Sequence, residues 1–178
     1  QTALHHITHA MLRWMAPFLS FTAEEAWATP NATGKPFGSA QSIFFETYSD
    51  LPAPDGTLMH KWQRLLDIRA AANKEIEAVR EQGQVGSSLQ ANLHITAPAE
   101  DMALLQSLGE DLKFVFITST VTLAAGEALR FTVQPATAPK CERCWHYRDD
   151  VGSDAAHPTI CARCSSNLFG AGETRSMA

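Results

Sequence analysis

The sequence has no apolar run long enough to cross a bilayer, and it does not open with a basic stretch followed by an apolar one. These absences predict a cytoplasmic protein that has no contact with a membrane. Charge is also sparse, since 19% of the 178 residues are charged and the formal net charge is −5. A uniformly basic surface is therefore excluded, and a nucleic-acid partner would have to be held by a local group of side chains.

Catalytic motifs are missing as well. Gly34-Lys35 lacks the rest of a phosphate-binding loop, and Ser87-Ser88 lacks the context of a nucleophile elbow. The adjacent carboxylates Glu24-Glu25 and Asp149-Asp150 are explained by helix capping and solvation. The residues present therefore predict a binding function for this chain, with no catalytic residue.

Residues 1–56 are predicted to be part of a helical bundle. An apolar stripe at spacings of three and four predicts a first helix that ends near Pro17. Thr22 to Glu25 form a capping-box pattern, which predicts that a second helix begins there with Trp27 facing the first helix. Turn-forming residues from 28 to 56 predict a loop with a short extended run at 43–45. Because the first helix starts without a cap after Gln1, we expect a C-terminal fragment of a longer chain.

Residues 57–138 are predicted to form a long helix followed by a small α+β unit. The helix should run from about Leu58 to Gln82 and stop at Gly83. Beyond it, apolar and polar residues alternate from 89 to 95, the period of a half-buried strand. A short helix near 100–108 and strands near 112–118 and 129–133 should complete the unit.

The last segment, 139–178, contains all four cysteines as two Cys-x-x-Cys pairs, Cys141 with Cys144 and Cys161 with Cys164. Two residues inside each pair let a tight turn aim both sulfur atoms at one metal ion. Two such pairs close a tetrahedral shell and leave no position for a catalytic water. The spacing predicts one structural Zn²⁺ ion in a zinc-ribbon-like finger.

Other states of the cysteines are two disulfides, a redox-active pair or four unbound thiols, and His146 or His157 could replace one sulfur. The composition of the tail favours zinc. Its bulky apolar side chains are few: Trp145, Tyr147, Val151, Ile160, Leu168 and Phe169. About thirty residues cannot build a sufficient core. The free energy of zinc binding, on the order of 10 kcal/mol, would then contribute to folding.

Aromatic rings and bases are interleaved around the predicted finger. Rings stack on unpaired RNA bases and guanidinium groups hold phosphates, so the pattern favours contact with RNA. The alternative is that Trp145 and Tyr147 only cover the metal. We predict that the RNA contacts are Lys140, Arg143, Trp145, His146, Arg148 and Arg163.

Two stretches resemble the helical part of class I aminoacyl-tRNA synthetases. Residues 15–18 with 21–27 resemble the end of the anticodon-binding bundle, a segment that would also suit the valine or leucine enzymes. Residues 62–69, 73–74 and 85–89 are similar to the helix and turn that follow it in bacterial-type isoleucyl-tRNA synthetases. The most specific resemblance is in the tail, where residues 140–147, 150–152, 157–158 and 161–164 resemble the terminal zinc finger of that family, a type shared with formamidopyrimidine-DNA glycosylases.

The resemblance implies an α+β multidomain fragment that holds the anticodon side of isoleucine tRNA. A distant ATP-dependent domain of the parent, whose HIGH and KMSKS motifs are absent from these residues, would join isoleucine to the tRNA. The parent would be an isoleucine–tRNA ligase, and we expect a monomer whose partners are the tRNA and its own remaining domains. The alternatives are a DNA-binding tail of a repair glycosylase and a zinc-stapled protein-interaction module.

Overall fold

The computed structural model describes residues 2–32, 40–51 and 53–173, and the chain divides into two compact units, Gln1–Pro54 and Asp55–Ala178. The predicted α+β class is confirmed, because helices accompany a three-stranded sheet and the cysteines cluster in the C-terminal tail. In the described ranges, no helix is both long and apolar enough to cross a membrane. The finer division at residues 56 and 138 stays a prediction.

The first unit is built on two helices, α1 (Thr2–Met15) and α2 (Ser20–Ala32). Trp27 on α2 is 1% exposed, and its ring stacks on His9 of α1 with centroids 5.4 Å apart. The prediction that Trp27 faces the first helix is therefore confirmed. The core around it is completed by Leu12, Ala16, Ala23 and Ile43.

Two local predictions for this unit are wrong. The second helix begins at Ser20, so Thr22 lies inside it and forms no capping box. The neighbouring Glu24, which was not the carboxylate of the predicted box, accepts hydrogen bonds from the Ser42 hydroxyl and the Ile43 N–H, both at 3.0 Å. The run Ile43–Phe45 is a 3₁₀ turn and not an extended segment, because Ser42 caps it and its apolar Ile43 is drawn into the core. Part of the predicted loop lies outside the described residues, and α2 continues through residues 28–32.

The pair of Arg13 and Glu46 joins α1 to the segment that follows the 3₁₀ turn. The hydrogen bond from the Arg13 guanidinium holds the pKa of Glu46 below its ordinary value. Both side chains are largely buried, and Arg13 also donates to the Ser49 hydroxyl at 2.6 Å. The pair therefore stabilises the folded state, and its contribution to the free energy of unfolding requires Glu46 to be ionised.

A depressed carboxyl pKa contributes stability above the unfolded pKa of about 4.3, and that stability is lost as pH falls through the folded pKa. We expect Glu46→Gln to lower the free energy of unfolding at pH 7 by about 1 kcal/mol and to flatten its decline below about pH 5. Urea unfolding of the chain at a series of pH values measures both effects. Glu25→Gln on the exposed side of α2 is the control, and identical pH profiles for the two variants would contradict the assignment.

The second unit begins with the long helix α3 (Gly56–Glu81), which is capped by Asp55 through a hydrogen bond from the Leu58 N–H at 3.1 Å. Two residues after its end lies Gly83, whose φ of 73° is the left-handed conformation that favours glycine. The predicted helix and its stop are confirmed to within two residues. The buried face of the helix consists of Leu65, Ile68, Ala72 and Ile76, whereas Leu58 and Trp62 in its first turns are exposed.

The sheet consists of β1 (Ala91–Ala97), β2 (Thr120–Ala125) and β3 (Arg130–Pro135) in the order β2-β1-β3. β1 pairs parallel with β2 and antiparallel with β3. Its alternation buries Leu93 and Ile95 against α3, as the predicted period of two requires. The helix α4 (Ala99–Gln106) follows β1 and confirms the predicted short helix.

The predicted strand at 112–118 is wrong, because residues Leu112–Phe116 form a helix, α5. Leu112 and Phe116 are four residues apart and both enter the core, a spacing that places them on one face of a helix and equally on one face of a strand. A short apolar run rich in aromatic and β-branched residues does not distinguish the two by its pattern. The strand begins instead at Thr120, after Ile117 closes the helix in a left-handed conformation with φ 56° and ψ 47°.

A left-handed conformation costs a β-branched residue about 1–2 kcal/mol, while asparagine tolerates it better. Ile117 is 43% exposed and contributes little packing. We expect Ile117→Asn to raise the free energy of unfolding by about 0.5–1 kcal/mol. Thermal or urea unfolding measures it, with Ile117→Val as a control that keeps the branched Cβ. A destabilised Ile117→Asn variant would show that the side chain matters more than the backbone strain.

Candidate metal centre and nucleic-acid surface

Two short segments of backbone bring the cysteine pairs together. The first pair lies in a hairpin in which Lys140 and Tyr147 form an antiparallel bridge, and the Cys141 N–H donates to the His146 carbonyl at 2.9 Å. The second pair straddles the start of helix α6 (Ala162–Phe169), with Cys161 immediately before it. Each Cys-x-x-Cys spacing therefore forms the tight turn that the sequence predicted.

The four sulfur atoms of Cys141, Cys144, Cys161 and Cys164 lie within 4.8 Å of one another. They are free thiols and not disulfides. The Sγ atoms of Cys144 and Cys161 are 3.8 Å apart. A tetrahedron with metal–sulfur distances of about 2.3 Å has edges of about 3.8 Å, so the spacing fits a zinc ion.

Gly152 allows the two arms of the tail to approach. Its φ is 80°, and a Cβ atom at this position would lie 2.9 Å from the carbonyl oxygen of Pro158. Its N–H donates to the Ile160 carbonyl at 3.1 Å, beside the bridge between Val151 and Cys161. A glycine is thus required where the loop returns to the second cysteine pair.

The core of the tail is smaller than its composition predicted. Cys141, Cys161 and Cys164 are fully buried, and only Val151 and Ile160 join the cysteines in this cluster. Of the bulky groups counted in the sequence, three are exposed: Trp145 at 60%, Leu168 at 47% and Phe169 at 62%. So few apolar contacts make a metal ion the natural source of the missing folding energy.

The electrostatics of the thiols also fit a cation. Burial raises the pKa of the Cys144 thiol to about 12, and burial raises the pKa of Cys161 as well. At Cys141 burial is outweighed by backbone hydrogen bonds, which lower the pKa to about 6. Bringing these thiols together as thiolate ligands therefore requires a positive charge among them, which a divalent metal supplies. Two N–H groups already point at sulfur, from Arg143 to Cys164 at 3.7 Å and from the Cys161 backbone to Cys141 at 3.3 Å.

Trp145 lies on the outside of the metal centre. It is 60% exposed, and the Lys140 ammonium lies 5.5 Å from the centroid of its ring. Its φ of 67° is left-handed, a conformation in which a bulky residue is uncommon. The ring therefore adds little to the covering of the cysteines and presents an aromatic face beside a cation.

The other predicted contact residues are placed differently. Arg148 is held by both oxygens of Asp150 at 2.8 Å, and Arg163 is held by both oxygens of Glu173. The Arg148 guanidinium lowers the pKa of Asp150. His146 is 9% exposed, and its ring packs edge-on against Phe114 with centroids 5.6 Å apart. Among the six, Lys140, Arg143 and Trp145 are thus the exposed ones.

Sequence reasoning missed two residues of the α+β part that touch the tail. The hydroxyl of Ser119 accepts a hydrogen bond from the Tyr147 N–H at 2.6 Å. Phe114 contacts His146, and the Arg163 guanidinium lies 4.9 Å from its ring centroid. Nothing in the spacing of these residues marks them, because each acts on a partner far along the chain.

Two protein families match this chain. Residues 1–95 match the anticodon-binding domain of tRNA ligases, and residues 139–167 match the zinc finger found in FPG and IleRS. The first match covers more than half of the chain. The chain therefore belongs to the family of anticodon-binding domains of tRNA ligases.

Relatives that are about 50% identical to this chain are isoleucine–tRNA ligases. The chain is 54% identical to that of Cupriavidus pinatubonensis over 184 residues and 51% identical to that of Azoarcus sp. over 183 residues, in both cases along its whole length. It is 48% identical to the enzyme of Thiobacillus denitrificans over 177 residues. It spans 18–19% of the length of these relatives. The predicted resemblance is confirmed, and the matched zinc finger together with the clustered cysteines supports zinc binding.

We expect native mass spectrometry to find one zinc ion per chain. A strong chelator should unfold residues 139–173 and leave α1 to α3 folded, because the tail has little core without the metal. Amide signals in a zinc titration distinguish the two parts. Cys161→Ser should reproduce the effect of the chelator, whereas Ser166→Ala in the helix that follows Cys161 should retain zinc. Unchanged tail signals after complete removal of zinc would contradict the prediction.

Proposed function

We propose that this chain is the tRNA-binding C-terminal part of an isoleucine–tRNA ligase. In this proposal it holds the anticodon side of isoleucine tRNA while another domain of the same protein attaches isoleucine in an ATP-dependent reaction. The identity of about half of its residues to isoleucine–tRNA ligases, along the whole chain, supports this assignment. The chain has no catalytic residue in this proposal, and its metal, zinc held by the four cysteines, is structural.

The exposure of Trp145 carries the RNA-binding part of the proposal. A ring that is 60% exposed beside the Lys140 ammonium has the geometry needed to stack on an unpaired base while the cation meets a phosphate. A left-handed tryptophan is unfavourable, so the fold tolerates strain to present this ring. Arg143, in the same turn, is the second exposed cation.

The six predicted contacts then fall into two groups. Lys140, Arg143 and Trp145 touch the tRNA directly. Arg148 and Arg163 reach a phosphate only by sharing or leaving their carboxylate partners, and the buried His146 supports the hairpin from within. The whole protein is expected to be a cytoplasmic monomer in which the remaining domains are the other partners of this part.

A DNA-repair role is less well supported. The finger family includes both kinds of protein, so residues 139–167 do not distinguish them. The match of residues 1–95 to the anticodon-binding domain does distinguish them. A repair glycosylase is also expected to have a helix–two-turns–helix before its finger, where this chain has the long α3 and a three-stranded sheet. A zinc-stapled protein-interaction module would not require an exposed ring beside a cation.

We expect Trp145→Gly to weaken binding of isoleucine tRNA by about tenfold or more, since stacking on one base is worth about 1–3 kcal/mol. Glycine adopts positive φ freely, so this variant should retain zinc and melt at the same or a higher temperature. Gel shift, zinc content and melting temperature measure the three effects.

The matched control is Phe169→Ala, which removes another exposed ring of the tail that is outside the predicted contact set. Its tRNA affinity should stay within about twofold of that of the unsubstituted chain. Loss of zinc in Trp145→Gly would show that the ring covers the metal. Equal affinities for isoleucine tRNA, another tRNA and duplex DNA across a salt series would reduce the interaction to general electrostatics.

A further inference from the structure

The Tyr147 N–H points away from its own hairpin. In the bridge between Lys140 and Tyr147, the hydrogen bonds on either side run from Cys141 to the His146 carbonyl and from Arg148 to the Pro139 carbonyl, each at 2.9 Å. In an antiparallel ladder, positions with and without mutual backbone hydrogen bonds alternate, and Lys140 and Tyr147 form a pair without them. The N–H of Tyr147 therefore points out of the hairpin. An outward N–H at a site closed to water needs a partner from another element.

Ser119 is that partner. Its hydroxyl accepts from the Tyr147 N–H at 2.6 Å and donates to the Leu89 carbonyl at 2.5 Å. Ser119 is 2% exposed, so water does not replace either bond. One hydroxyl, 28 residues before Tyr147 in the sequence, thus links the hairpin of the metal centre to the backbone that leads into β1.

The surrounding fold fixes the position of this hydroxyl. The Ser119 N–H donates to the Ala91 carbonyl at 3.0 Å, which places the residue at the start of the β1–β2 pairing. The preceding Thr118 N–H donates to the Lys113 carbonyl at 3.0 Å and closes α5. Ser119 is therefore held by the sheet and by α5 before it meets the tail.

The hairpin that Ser119 holds carries the proposed RNA contacts. Lys140 is the bridge partner of Tyr147, and Trp145 is two residues before it. We propose that Ser119 is a positioning residue for RNA binding, whose hydroxyl fixes the direction in which the hairpin presents Trp145 and Lys140. This inference rests on the proposed function and adds a residue that touches neither RNA nor metal.

Phe114 supplies the second contact between the same two parts. Its ring packs against His146 and lies under the Arg163 guanidinium. A ring contact restricts distance but leaves rotation available, whereas two short hydrogen bonds at one hydroxyl define an orientation. Loss of the Ser119 hydroxyl should therefore change the orientation of the hairpin without separating the tail from the sheet.

The test compares Ser119→Ala with Thr118→Val in the full chain. Both remove a buried hydroxyl, but the Thr118 hydroxyl bonds within its own turn, to the Thr120 carbonyl at 3.2 Å. We expect Ser119→Ala to retain one zinc ion and to bind isoleucine tRNA about fivefold more weakly. Thr118→Val should lower the melting temperature with an affinity change below about twofold. Equal losses of affinity in the two variants would assign the effect to stability and overturn the proposal.

A double variant tests whether Ser119 acts through the hairpin. If the hydroxyl aims Trp145, Ser119→Ala should weaken binding by less than about twofold in a Trp145→Gly background. A full and additive loss in the double variant would contradict positioning.

A measurement without RNA separates this inference from the proposed function. In Ser119→Ala the Tyr147 amide should exchange with solvent at least about tenfold faster, while the Cys141 amide of the same hairpin stays protected. Faster exchange at both amides would indicate a merely structural role for Ser119. An unchanged exchange rate at Tyr147 would show that the Ser119 hydroxyl does not hold this amide. If the unsubstituted chain binds no RNA but the amide result holds, the proposed function fails and the anchoring of the hairpin stands.

Discussion

The C-terminal tail depends on four sulfur atoms that must be gathered before anything else in it can be ordered. Its buried cluster contains the cysteines with Val151 and Ile160 and no further apolar side chain of the described residues. A core of this size does not offset the conformational entropy of thirty residues. The sulfur atoms within 4.8 Å of one another are thus the interaction on which the hairpin, the loop at Gly152 and helix α6 all rely.

This dependence explains why large aromatic groups are found outside. A tail that is closed by a metal does not need Trp145 in its interior, so this ring is available for contacts with a partner. The strain at Trp145 is tolerated because the hairpin around it is fixed at both ends, by the cysteine pair and by the bridge to Lys140.

Net charge describes this tail poorly. The bases in residues 139–178 equal the acids in number, and a neutral sum would argue against RNA binding if the charges were spread evenly. The structure pairs Arg148 with Asp150 and Arg163 with Glu173, so two charges of each sign neutralise one another within the tail. Lys140 and Arg143 remain exposed near the aromatic face, and a local cationic surface is compatible with a neutral sum.

The sequence by itself determined those features of this protein that depend on residues close together in the chain. The cysteine spacing predicted the four-thiol cluster, Gly83 predicted the end of α3, and the alternation around Leu93 predicted β1. Patterns failed where tertiary partners decided, as when the second helix began at Ser20 before the predicted cap at Thr22 and Glu24 bound Ser42, and when residues Leu112–Phe116 formed a helix instead of the predicted strand. Ser119 is the clearest case, because its partners at positions 89 and 147 meet only after the chain has folded. Helix and strand periodicity depends on neighbouring residues and can be read from the sequence. The orientation of the hairpin relative to the sheet depends on hydrogen bonds between residues that are far apart in the chain, which no local pattern connects.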